Sequence, residues 1–254
     1  MTTWSQYIDS VSSPKSRQPR RRRNPAPARG KPGAGRPTPA LRPGPAGGAR
    51  DRNRRANAAR LGEAGLALFL EHGVAAVTIE QIAARAGMAK GSFYRYAADK
   101  ADLVGQIMAP VIADTVAALD ACAAGLRTIA PAQRSALLMT YLEVARALAA
   151  VVTRDPPRVL LYLQEARAPR ATAAPALAAL ATELEARTVE LTRLAHAHGL
   201  IRAVDPDLTA QAVLGTVEAV LFAHLRRRRI PATAVARVTT ELVDLVVRGI
   251  GAEA

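Results

Sequence analysis

With 254 residues, half of them apolar, the chain is long enough to bury the core of one large or two small domains, yet 4% aromatic content leaves that core to Ala, Leu and Val, side chains suited to closely packed helices. A single cysteine, Cys122, excludes an internal disulfide and agrees with a reducing cytosol. The net charge of +14 sits almost wholly in residues 1–50, where eleven Lys/Arg face one Asp; residues 51–104 carry eight against six and residues 105–254 sixteen against fourteen, so attraction to a polyanion belongs to one end of the chain.

Residues 1–50 read as a disordered Arg/Pro-rich basic tail. From Pro14 to Gly48 the segment has no apolar periodicity that could offset the entropy of ordering it. Arg29-Gly30-Lys31-Pro32 and Gly35-Arg36-Pro37 resemble the core of AT-hooks, which lay Arg into an A/T-rich minor groove. Sequence-independent phosphate attraction, a hook, and a start codon assigned too early remain three open readings of it.

A first helix is expected from about Arg54, its stripe of Leu61, Ala64, Gly65, Leu68 and Phe69 closing at His72-Gly73. Thr78 stands where an N-cap belongs, with Gln81 as its capping-box partner and Ile79, Ile82 and Ala83 facing inward. Gly87 ends this second helix. A third runs from Ala89 or Lys90 to about Tyr96, and Asp99 can cap a fourth that starts near Lys100. Two short helices broken at a glycine, the second studded with basic, hydroxyl and tyrosine side chains, form a helix-turn-helix.

The remainder reads as helix after helix, separated at Pro131, Pro156-Pro157, Pro169 to Pro175, Gly199, Pro206 and Pro231. Nothing alternates for long enough to argue a sheet, so the expected class is all-α, about nine helices in two units: a DNA-binding domain over 51–104 and a helical domain over 105–250. Residues 208–225 are apolar nearly all round, and 232–250 carry an apolar seam at spacings of three and four. Leu208, Phe222, Val235, Val238, Leu242 and Leu245 are the expected dimer interface, the alternative being that both helices complete an intramolecular core. Arg226 to Arg229 are best explained by the C-terminal dipole of the helix they follow.

A major groove admits one helix and is read from that helix's first turns. Lys90, Gly91 and Ser92 supply a long donor, a residue with no side chain to block approach, and a short hydroxyl, while Phe93 should point into the core. Tyr94 and Tyr96 carry phenolic donors for phosphate oxygens, or pack in part against the first helix. Lys100 adds a cation, and Arg95 is either a further contact or a solvated charge. Thr78 places a hydroxyl and a helix N-terminus where phosphate is favoured.

Phe69, Gly73, Val77-Thr78-Ile79, Ile82-Ala83, Ala86-Gly87, Gly91 to Tyr96, Lys100 and Leu103 together resemble the DNA-binding domain of the tetracycline-repressor (TetR) family. The resemblance spans residues 54–104, is architectural for 105–250, and is absent from the tail. It implies a homodimer that binds double-stranded DNA through an N-terminal three-helix domain, binds an inducer in its C-terminal domain, and has no enzymatic activity. Two departures stand out. The family usually has Ser or Thr at Ala89, so the recognition helix lacks a side-chain N-cap, and Phe at Ala97, so an anchor behind it is missing.

The resemblance also implies a ligand pocket among the helices of residues 105–200. The candidates are Met108, Cys122, Met139, Tyr141, Tyr162, Gln164, Thr188 and His196, each more readily explained as ordinary core packing or surface exposure, and the apolar surroundings suit a small hydrophobic or amphipathic effector.

Little supports an enzyme. His72, His196, His198 and His224 include one close pair, spaced i, i+2 on different helix faces, so no metal site is expected; Cys122 has no activating neighbour in sequence, and no cofactor motif is present. No uninterrupted apolar run reaches the ~18 residues of a membrane span and no signal-peptide core is present. The sequence therefore predicts a cytoplasmic, nucleoid-associated regulator; the alternative is a sequence-nonspecific chromosome-associated protein held by its basic tail.

Overall fold

The computed structural model describes residues 48–166, 175–201 and 204–226, with Arg237 and Glu241. The chain divides into units of residues 1–41 and 42–254, and every described residue belongs to the second. The described elements are all helices: α1 (Ala49–His72), α2 (Ile79–Arg85), α3 (Lys90–Phe93), α4 (Lys100–Thr128), α5 (Arg134–Arg154), α6 (Pro156–Glu165), α7 (Pro175–Ala197) and α8 (Pro206–Leu225). Of the helix expected over 232–250, only Arg237 and Glu241 are described, both helical and paired at 3.6 Å. Val235, Val238, Leu242 and Leu245, the basic tail before Gly48 and Arg227 to Arg229 lie outside the described residues.

Helix α1 starts at Ala49, earlier than the expected Arg54, because Asp51 complements the positive helix terminus and pairs with Arg54 and Arg55 at 3.4 and 3.0 Å. Gly73, at φ 79°, closes it by donating its N–H to the Phe69 carbonyl at 2.8 Å. The Thr78/Gln81 capping box forms in full at the start of α2: the Gln81 N–H donates to Thr78 Oγ1 at 3.3 Å and the Thr78 N–H to Gln81 Oε1 at 2.8 Å.

Helix α3 is shorter than the sequence predicts. Regular helix ends at Phe93 and residues 94–96 continue as 3-10-like turns, the Arg95 N–H donating to the Ser92 carbonyl and the Tyr96 N–H to the Phe93 carbonyl. Asp99 caps α4 as expected, accepting the Asp102 N–H at 2.8 Å. The prolines expected to separate helices do so from the first position of the next one: Pro156, Pro175 and Pro206 open α6, α7 and α8, the first and third behind Asp155 and Asp205 caps.

Helix α4 runs through Pro110, which has no N–H to donate. Near this interruption the Arg158 guanidinium of α6 donates to the Ile107 carbonyl at 2.6 Å. The larger core cluster is continuous from α1 to α3 (Leu61, Phe69, Ile82, Phe93) into α4 (Val104, Met108) and α6 (Leu161, Leu163), so the helix-turn-helix and the helices behind it share buried surface. A second cluster joins Leu119, Cys122 and Leu126 of α4 to Leu137 of α5 and Leu191 and Ala195 of α7.

The expectation that nothing could span a bilayer is corrected by the folded helices. By length and composition α4, α5 and α8 are each long and apolar enough to cross a membrane, because isolated charges break an apolar run without making an Ala/Leu/Val helix polar. Helix α4 buries about a third of that stretch, packing against α1, α5, α6 and α7.

Candidate nucleic-acid interface

Helix α3 is positioned by three local devices. Gly87, at φ 68°, turns the chain between α2 and α3, and the Met88 N–H returns to the Ala83 carbonyl at 2.9 Å. Arg60 of α1 donates to the Ala86 carbonyl at 2.6 Å, fixing the end of α2. Phe93 is fully buried beneath α3, an anchor worth about 2–3 kcal/mol, with the Tyr94 ring edge-on to it at 5.5 Å between centroids. Ala97 fills the place behind the helix with a methyl group and is itself buried. The turn that follows is held from α4, where Asp102 accepts the Ala98 N–H at 2.7 Å and Gln106 Nε2 donates to the Tyr96 carbonyl at 2.9 Å.

Lys90, Gly91, Tyr94 and Arg95 are exposed, Ser92 and Tyr96 half-buried. Nothing lies within 4 Å of where a Cβ on Gly91 would stand. Thr78 is exposed with its hydroxyl engaged in the capping box, donating to Gln81 Oε1 at 3.1 Å. Lys100 is set apart from the others. Its ammonium donates to the carbonyls of Val74 (2.7 Å), Ala75 (3.1 Å) and Val77 (2.8 Å), so its three donor positions brace the connection between α1 and α2.

One residue at this surface escaped the sequence reading. Glu80, in the first turn of α2, forms an ion pair with Lys90, the first residue of α3. The hydrogen bond from Lys90 holds the Glu80 carboxyl below its ordinary value, and Glu80 in turn raises the Lys90 ammonium. No periodicity could signal the pair, because it spans a turn whose angle is set by Gly87.

The ligand-pocket candidates fall in different places. Met108 and Tyr162 belong to the larger core cluster, whereas Cys122 and Tyr141 lie in or against the second. Tyr162 donates to Glu218 of α8 at 2.5 Å, Tyr141 to the Leu191 carbonyl at 2.7 Å, and the Thr188 hydroxyl to the Leu184 carbonyl at 2.7 Å. Burial pushes the Cys122 thiol up to about 11, with the Glu143 carboxylate adding to it, and pushes the Tyr141 phenol up as well. Met139 is 46% exposed, while Gln164 Oε1 and His196 Nε2 are buried atoms that make no hydrogen bond. A cleft of about 420 Å³ lies elsewhere, on the helix-turn-helix face of α1, lined by Arg60, Glu63, Ala64, Arg85, Ala86 and Gly87. Of the dimer candidates described, Leu208 is 60% exposed and Phe222 half-buried.

Residues 61–107 match the family model described as bacterial regulatory proteins, tetR family. No curated protein matches the chain. Among solved structures it is similar to SCO3833, a member of the TetR transcriptional regulator family from Streptomyces coelicolor A3 (TM-score 0.59, 21% identity, covering 75% of this chain and 90% of that one). It is also similar to the fatty acid degradation regulator FadR from Bacillus halodurans (TM-score 0.57, 15% identity, 76% and 95% covered). A third similar structure is native NalD, the secondary repressor of the MexAB-OprM multidrug efflux pump in Pseudomonas aeruginosa (TM-score 0.56, 18% identity, 79% and 99% covered). Residues 61–107 are thus a tetR-family helix-turn-helix, carried on a chain with the fold of TetR-family transcriptional regulators.

Proposed function

We propose that the protein is a sequence-specific transcriptional regulator, a repressor, that binds a palindromic operator as a homodimer and is released by a small hydrophobic or amphipathic ligand. The observation that carries this reading is the exposed first turn of α3, where Lys90 and unobstructed Gly91 stand over buried Phe93. A helix held from beneath and open at its N-terminal end is what direct reading of base edges requires. Thr78, Ser92, Tyr94, Arg95 and Tyr96 flank that turn as candidate phosphate or base contacts, with Lys100 as a brace for them.

Exposed Leu208 and half-buried Val213, Leu214, Val217 and Phe222 on α8 support a symmetric pairing of this helix with its mate. Pairing would set two copies of α3 at successive major grooves, about 34 Å apart. A ligand favouring another spacing would lower operator affinity by its differential binding to the two geometries. Domains over 51–104 and 105–250 fit this division of labour, in a cytoplasmic, nucleoid-associated protein without catalysis.

The test is a genomic pull-down with sequencing of the bound DNA, comparing the full chain with one beginning at Gly48. A short palindrome shared by both is expected. Binding that carries no motif and disappears with the basic tail would replace this reading with a chromosome-associated protein held by residues 1–47.

A further inference from the structure

We propose that the first three turns of α1, residues 49–60, are a second DNA-binding surface, an arm that lies along the phosphate backbone beside the base pairs reached by α3. The proposal rests on the DNA-binding reading above. Affinity for a duplex comes largely from cations set against phosphates, and the helix-turn-helix supplies few of them. Residues 61–107 carry four Lys/Arg against five Asp/Glu. Of the four, Arg85 is paired with Glu71 at 3.0 Å, Lys90 is paired with Glu80, and Lys100 is engaged by three backbone carbonyls. Residues 49–60 carry five Arg against one Asp, so the excess of positive charge next to the helix-turn-helix belongs to α1.

None of the α1 residues before Leu61 is buried. Helical register puts Arg50, Arg54 and Asn57 in line with Leu61, Gly65 and Leu68, so the stripe that is buried where α1 meets the domain turns cationic and polar where α1 runs beyond it. The overhang begins at Arg60, whose guanidinium donates to the Ala86 carbonyl at 2.6 Å and would stand 3.0 Å from a Cβ on Gly87, three residues before Lys90. It therefore starts beside the turn into α3 and extends about 16 Å from it, the length of roughly five base pairs. The packed turns from Leu61 onward already nucleate the helix, so the arm presents its arginines at little ordering cost. Asp51 pairs with exposed Arg54 and Arg55, and pairs of that kind yield readily to phosphate. Such contacts position the domain and strengthen binding to every sequence alike.

The experiment titrates the full-length wild type, R50Q/R54Q and R154Q/R193Q across a salt series, the last removing two exposed charges from the C-terminal helices. Two duplexes of equal length are used: one carrying the motif the wild type selects from a random-sequence pool, with flanking duplex on both sides, the other the same DNA scrambled. R50Q/R54Q is expected to flatten the slope of log K on log salt by about 1.8 for each protomer bound, at 0.9 per phosphate contact. Binding at 0.15 M salt then weakens by about thirtyfold per protomer, equally on both duplexes, and the difference fades toward 1 M. Hydroxyl-radical protection of the flanking backbone should be lost while the motif stays protected, and R154Q/R193Q should alter neither slope nor footprint. A slope and footprint indifferent to R50Q/R54Q, or changed as much by R154Q/R193Q, would overturn the proposal and leave these arginines as part of the chain's general charge. A wild type that binds DNA but selects no motif sinks the regulator reading, and the arm is then judged by the slope on any duplex; a wild type that selects a motif and is indifferent to R50Q/R54Q sinks the arm alone.

Discussion

The carboxylate of Glu165, the last residue of α6, accepts the backbone N–H of Val74, in the connection between α1 and α2, at 2.9 Å. Both residues are buried, at 6% and 3% exposure, and the carbonyl of the same Val74 accepts from Lys100 of α4 at 2.7 Å. The segment that leads into the helix-turn-helix is thus held on one side by α6 and on the other by α4. Helix α6 also reaches α8 through Tyr162 and Glu218, and α4 through Arg158 and the Ile107 carbonyl. A ten-residue helix thus meets the connection after α1, α4 and α8.

Replacing Glu165 by Leu would leave the buried Val74 N–H without an acceptor. We expect a loss of about 1–3 kcal/mol in denaturant unfolding, and a smaller loss for Glu165→Gln, which keeps an amide oxygen at the same reach. An E165L protein as stable as wild type would show that the connection rearranges to satisfy Val74 by other means.

Lys100→Met removes the common donor of three backbone carbonyls. The expected result is lower stability, by about 2 kcal/mol or more, with faster hydrogen exchange at the amides from Val74 to Thr78. A K100M protein of unchanged stability that binds DNA more weakly would instead assign Lys100 to phosphate contact.

Two glycines of the helix-turn-helix should respond to alanine with opposite signs. Gly87 adopts φ 68° and a Cβ there would stand 3.0 Å from the Arg60 guanidinium, so Gly87→Ala should cost about 1–2 kcal/mol. Gly91 is helical with open space around it, and Gly91→Ala should stabilise the fold by about 0.5–1 kcal/mol. If α3 approaches base edges closely, the more stable G91A protein should bind the selected DNA less tightly; unaltered affinity would place Gly91 away from the groove. Both effects are read from melting curves alongside binding isotherms.

Stability should fall in alkali. The buried Cys122 thiol ionises at about 11 in the folded chain against 9.0 as an ordinary thiol, so its contribution is fully present below pH 9 and is lost as pH rises toward 11. The loss is up to about 2–3 kcal/mol. The Tyr141 phenol is raised in the same sense from 10.0 and extends the decline upward. Cys122→Ala should flatten the part of the profile that begins near pH 9, measured by urea unfolding between pH 8 and 11; an unaltered profile would mean that Cys122 is solvated before it ionises.

Short-range devices were legible from the chain alone. Thr78 with Gln81, Gly73, Gly87 and Asp99 each act on backbone groups within a few residues, so spacing suffices to recognise them, and they bound α1, α2 and α4 as expected. Phe93 was legible too, as the apolar member of an otherwise polar helix, and it is fully buried. The length of α3 was not. Its first turn lacks a side-chain cap at Ala89, and the turns that follow it are held by bonds from Asp102 and Gln106, side chains of another helix. Met139 and Met108 look alike in sequence, yet one is 46% exposed and the other fully buried, because only packing decides which side of an Ala/Leu-rich helix faces inward.

What the sequence by itself determined, then, is the all-helical class and the punctuation of the helix-turn-helix, since both follow from periodicity and from bonds that close within one or two turns. The tertiary structure alone decided that Lys100 serves three carbonyls, that Glu80 holds Lys90, and that Glu165 holds Val74. Each of these is a charged side chain meeting a partner on another segment. The reach and freedom of such side chains allow many partners in the unfolded chain, and only the packing of helices around Leu61, Phe69 and Phe93 brings the right one within bonding distance.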